Sequence, residues 1–86
     1  MLPHYQTLQT IYEIVKHDSR PHTYWCSPRE IIVRQLLGWD IVEQHLHELV
    51  NEGLAECKNL GTYAYRMTLE GLEKARSLSQ KTPVFH

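Results

Sequence analysis

Six histidines and two cysteines in 86 residues are the side chains best suited to bind a metal or attack a carbonyl. Their spacing fits neither use. His45 and His47 stand two apart in a helical pattern and point to nearly opposite sides, whereas two ligands of one ion need a separation of three or four. Cys26 and Cys57 each lack the second cysteine of a CxxC pair. A thiol also needs a nearby base and a cleft to act as a nucleophile. No glycine-rich phosphate loop, paired-acid motif or nucleophile elbow occurs. The residue types therefore predict no metal site, no cofactor and no enzyme, with the histidines at surface or boundary positions and Cys57 packed against a β-hairpin. Among the aromatics, Trp39 is expected to pack a turn onto the core. Trp25 and Tyr63 are expected to pack across a short sheet, or else to serve as exposed anchors for a protein partner.

Recognition chemistry is concentrated in the segment from Asp40 to Gly53. With Val42, Leu46, Leu49 and Val50 facing inward at helical spacing and Ile41 at the edge, Asp40, Gln44, His47 and Asn51 fall on the opposite face. Glu43 and Glu48 lie on the flanks, and the helix contains no lysine or arginine. The chain as a whole has a net charge of −1. Between Ser27 and Arg66, four basic residues (Arg29, Arg34, Lys58, Arg66) meet six acidic ones (Glu30, Asp40, Glu43, Glu48, Glu52, Glu56). A nucleic-acid binder usually carries a basic excess, because neutralising phosphates drives most of its affinity.

The elements that must hold this helix are legible in order. Tyr5, Leu8, Ile11, Tyr12 and Val15 form an apolar stripe over Tyr5 to Lys16, ended by the run through Pro21. His22 to Cys26 is a connector able to add a strand to a small sheet. Ser27-Pro28-Arg29-Glu30 is a capping box with proline at the first helical position, and Ile32, Val33, Leu36 and Leu37 are the expected buried stripe of that second helix. Gly38 is expected to stop it, and Asp40 with Glu43 to cap the third helix. Two helices separated by about three residues around a glycine make a helix-turn-helix.

After Gly53, Leu54 to Lys58 and Tyr63 to Met67 read as strands joined by Asn59-Leu60-Gly61-Thr62. Thr68 then caps a fourth helix, about Leu69 to Ser79, with Leu72 and Ala75 inward. Gly71 is expected to weaken that helix by about 1 kcal/mol relative to alanine. The expected architecture is one domain over residues 1–79, mainly α with a small β-hairpin (α+β), in the order α-(β)-α-α-β-β-α, followed by a tail at 80–86. No apolar run is long enough to span a membrane and the first residues lack a signal-peptide pattern, so the thiols are expected reduced and the location cytoplasmic.

This order resembles the winged-helix family. Gln44-His45-Leu46-His47-Glu48-Leu49-Val50-Asn51-Glu52-Gly53-Leu54 is similar to the end of the recognition helix in ArsR-type bacterial repressors, and Tyr65-Arg66-Met67-Thr68-Leu69-Glu70-Gly71 to the exit from the wing in MarR- and PadR-like proteins. The resemblance covers about Ser27 to Ala75. It implies a small transcriptional regulator that binds double-stranded DNA, with the third helix in the major groove and the hairpin as a wing. Carried over by position, Gln44, His47 and Asn51 would face bases, Arg29 and Arg34 would lie near the backbone, and Lys58, Thr62 and Arg66 on the wing. It also implies a homodimer through the first and fourth helices. The acid-rich third helix leaves a second reading open, a winged-helix module that binds a protein partner instead of DNA. A continuous positive rim formed by Arg29, Arg34, Lys58 and Arg66 would favour DNA, and an acidic or apolar face would favour protein.

Overall fold

The computed structural model describes residues 2–59 and 61–80. Its elements are α1 (Pro3–Val15), a 3-10 turn (Pro21–Thr23), α2 (Pro28–Gln35), α3 (Trp39–Asn51), β1 (Ala55–Asn59), β2 (Tyr63–Met67) and α4 (Leu69–Gln80). The class is mainly helical α+β, and the order is that of a winged helix. Leu60, in the expected hairpin turn, and residues 81–86 of the expected tail lie outside the described residues; Gln80 belongs to α4.

The core is assembled from one stripe per element. Leu8, Ile11 and Val15 of α1, Ile31 of α2, and Val42, Leu46 and Leu49 of α3 pack with Ala55, Tyr65 and Met67 of the hairpin and Leu72 and Ala75 of α4. Removing this apolar surface from water is the main favourable term in folding. The hairpin pairs antiparallel with Ala55 opposite Met67, Cys57 opposite Tyr65 and Asn59 opposite Tyr63. The connector contributes a single bridge: the Cys26 N–H donates to the Tyr65 carbonyl at 2.7 Å, and the Tyr65 N–H to the Cys26 carbonyl at 2.9 Å. That bridge is the expected extra strand, reduced to one residue pair.

The capping box forms as the sequence predicts. Ser27 Oγ accepts from the Glu30 N–H at 3.4 Å, and a Glu30 carboxylate oxygen accepts from the Ser27 N–H at 3.2 Å. The end of α2 differs from expectation. The helix stops at Gln35, and Leu36, not Gly38, takes the left-handed turn at φ 57°. Gly38 has an ordinary φ of −64° and is the N-cap of α3, so Asp40 sits in the first turn without capping it. Bridge and capping box together fix the rotational phase of α2 and turn Ile31 into the core. Val33 and Leu36 are then rotated outward, at 67% and 93% exposed, and Ile32 and Leu37 are half-buried.

Gly53 ends α3 in the left-handed region at φ 75°, as a C-terminal glycine should. Beyond it the chain is pinned to the start of α4. The Thr68 hydroxyl donates to the Gly53 carbonyl at 2.7 Å and accepts from the Gly71 N–H at 3.0 Å, and the Thr68 N–H donates to the Leu54 carbonyl at 3.1 Å. Thr68 is therefore the cap of α4 and also the link from α3 to α4.

Candidate nucleic-acid interface

Three of the eight candidate side chains come together on one surface. Gln44, His47 and Asn51 are all exposed on the face of α3 opposite Val42, Leu46 and Leu49, and Asp40 shares that face at its N-terminal end. Gln and Asn can each make two hydrogen bonds to an adenine edge. The helix is held from behind by its apolar stripe and from one side by polar contacts with α1.

Those contacts were not foreseen. His4 Nδ1 lies 3.0 Å from a Glu48 carboxylate oxygen, and His4 Nε2 lies 2.6 Å from Glu52. A ring with a carboxylate at each nitrogen donates to both only in its doubly protonated form. The Tyr5 hydroxyl donates to the other Glu52 oxygen at 3.1 Å, and desolvation first, then this carboxylate, raise the phenol above its ordinary pKa. Deeper in the seam, Thr7 Oγ1 is 2.8 Å from His45 Nδ1, both residues buried. His45 is thus a core residue, contrary to the surface or boundary position expected of it. The sequence carried the signals: His45 is three residues after Val42 and four before Leu49, and His4 is four before Leu8. A cleft of about 520 Å³ lies above this seam, lined by Leu2, Pro3 and Gln44 beside the same histidines and acids.

The acids of α3 are consequently unequal. Glu48 and Glu52 are turned to His4 on one flank. Glu43 is half-buried on the other flank. Burial first, then the Cys57 hydrogen bond and charge, then Glu43, push the Tyr65 phenol up to about 12. Asp40 remains as the acid on the exposed face itself.

The five other candidates do not form one basic cluster. Arg29 and Arg34 are both exposed but five apart on α2, which separates them by about 140° around the helix. Arg34 lies near the buried Cys26, whose thiol is pushed up to about 12 by desolvation and by Glu30, with Arg34 opposing. Strand alternation puts Glu56, Lys58, Ala64 and Arg66 on the outer face of the hairpin, away from Tyr65 and Met67. There Lys58 Nζ is 5.7 Å and Arg66 Cζ 4.5 Å from the centre of the Trp25 ring, and Arg66 Nε donates to Glu56 at 3.2 Å. Trp25 therefore meets the sheet by stacking cations on its indole. Tyr63 is exposed at the far end of the hairpin, beside the exposed Thr62. Cys57 is also exposed, where it was expected to be packed. Among the described residues no group of three or more His, Cys, Asp or Glu side chains could hold a metal ion, and no helix is long and apolar enough to cross a membrane.

No protein-family model matches the chain, and no curated protein matches it significantly. Its fold is similar to the crystal structure of "a putative DNA-binding protein" from Ralstonia eutropha JMP134, with a TM-score of 0.71 and 20% identity over 91% of this chain and 96% of that one. At that identity the likeness is one of fold.

Proposed function

We propose that the chain binds double-stranded DNA as a small winged-helix regulator of transcription, with the exposed face of α3 in the major groove. The observation that carries this reading is the grouping of Gln44, His47 and Asn51 on one exposed helical face backed by the apolar stripe of α3, with the neighbouring acids Glu48 and Glu52 engaged by His4. Arg29 and Arg34 would meet phosphates on either side of α2, and Lys58, Thr62 and Arg66 would do so from the wing. The fold shared with the Ralstonia protein supports the same reading. Competition binding with duplexes of varied sequence tests it: Gln44→Ala and Asn51→Ala should each cost about 1–3 kcal/mol on the preferred site and little on others. Equal losses on every duplex would remove these residues from base recognition.

A second reading, a protein-binding module, is favoured by one observation: Arg66 is already neutralised by Glu56 and stacked on Trp25. Charge reversal separates the two. Replacing Asp40, Glu43 and Glu48 by lysine should strengthen DNA binding on the first reading and abolish partner capture on the second.

A further inference from the structure

We infer that His4 is a positioning residue for DNA binding: it holds the carboxylates of Glu48 and Glu52 against α1, off the edge of the face that α3 turns to the groove. The inference rests on the DNA reading above and adds to it a residue that touches no nucleotide. Four residues at 100° each place Glu48 about 40° round the helix from Gln44, and Glu52 stands one turn further along the same flank. Left free, two carboxylates in that place border the groove where the phosphates run, and like charges repel them. Their side chains are 43% and 39% exposed, so burial does not dictate which way they turn.

What turns them is built into the start of α1. The His4 side chain is only 8% exposed, so packing holds its ring in place, and the Thr7–His45 contact one turn later sets the register of α1 on α3. Each ring nitrogen meets one acid, Nδ1 Glu48 and Nε2 Glu52. Among the described residues no lysine or arginine pairs with either carboxylate. The other titratable groups around the ring are Tyr5, which holds the second Glu52 oxygen, His45 in the cleft wall, and Lys74 of α4, 4.9 Å from the centre of the Tyr5 ring. Doubly protonated, the His4 ring donates to both acids; with one proton lost, a lone pair faces a carboxylate and lets it go. Histidine changes charge between about pH 5 and 8, so the restraint has its own pH signature.

Anisotropy titrations of a labelled duplex with the full chain, at low salt and at about pH 6 and about pH 8, test it. His4→Gln keeps one amide donor but loses the charge and the second contact. At the lower pH it should weaken binding roughly threefold to tenfold, and at the higher pH the gap to the wild type should close to less than about twofold. Loss of mere support for the fold would weaken binding equally at both. His47 titrates alike in every variant and cancels in the comparison. Glu48→Gln with Glu52→Gln removes the restrained charges without touching the buried ring. That pair should tighten binding, more at the higher pH than at the lower, and in its background His4→Gln should lose most of its effect. Should His4→Gln fail to fold, the glutamine pair decides alone: an equal gain at both pH values, or none, would overturn the inference. Wild-type binding that His4→Gln leaves unchanged, or weakens equally at both pH values, would overturn it and leave the DNA reading standing. No binding by the wild type would overturn both.

Discussion

The Cβ that alanine would add at Gly71 falls inside the van der Waals envelope of the Leu54 carbonyl oxygen. Helix propensity alone says that Gly71→Ala should stabilise α4 by about 1 kcal/mol. Here the obstacle is backbone, fixed by the Thr68 bonds to Gly53 and Leu54, and it cannot rotate aside. Gly71→Ala is expected to destabilise the chain by about 1–3 kcal/mol, the usual range for overpacking, as read from urea denaturation. A gain in stability would mean that the α3–α4 junction is looser than this.

The opposite sign is expected at Leu36. Leu36→Gly, measured in dilute solution, removes a left-handed conformation costing about 1–2 kcal/mol and loses about 0.5–1 kcal/mol to the greater freedom of the unfolded chain. The net effect is a small stabilisation, seen as a higher urea midpoint at unchanged slope. A large loss would show that the exposed leucine supports the fold itself.

These two sites mark how far the sequence could be read. The apolar stripes of α1 and α3, the capping box and the hairpin strands follow from spacing and cap chemistry, which are local, and they came out within a residue or two. The end of α2 did not, because glycine is the usual left-handed residue and Gly38 stood close by; that Leu36 turns instead is decided by tertiary packing around Ile31. Gly71 looked like a defect because the Leu54 carbonyl, seventeen positions earlier in the chain, comes near only in the folded state. The exposed face of α3 was legible from spacing, whereas the pairing of its flanking acids with His4 and the stacking of Lys58 and Arg66 on Trp25 depend on long-range contacts.

Thr7→Val probes the buried part of the α1–α3 seam. Valine has nearly the shape of threonine but leaves His45 Nδ1 without its partner, and an unsatisfied buried polar group costs about 1–3 kcal/mol. In a His45→Leu background the same change should cost much less, because the pair is then absent from both sides. Additive losses in that double-mutant cycle would show that the two side chains do not interact.

The two thiols should differ sharply. A thiol-reactive disulfide reagent at pH 8 should modify the exposed Cys57 in the folded chain, and Cys26 only after denaturant is added. Cys26 and Tyr65 also set the alkaline limit of stability. Their folded pKa values, near 12, exceed the ordinary 9.0 and 10.0, so the folded state retains protons that the unfolded state releases. Stability is therefore fully present below about pH 9 and declines as pH rises toward 12. Flat stability across that window would contradict the burial of both groups.

Binding of duplex DNA by α3 is tested most directly by fluorescence anisotropy of a labelled mixed-sequence duplex with the full chain, starting at low salt. The expected result is saturable binding whose affinity falls linearly with salt on logarithmic axes. Arg29→Ala and Arg34→Ala should each lower the slope by about one, and Asp40→Asn should tighten binding. Anisotropy that stays flat at low salt up to about 100 µM protein would contradict the DNA reading, because even nonspecific affinity emerges under those conditions.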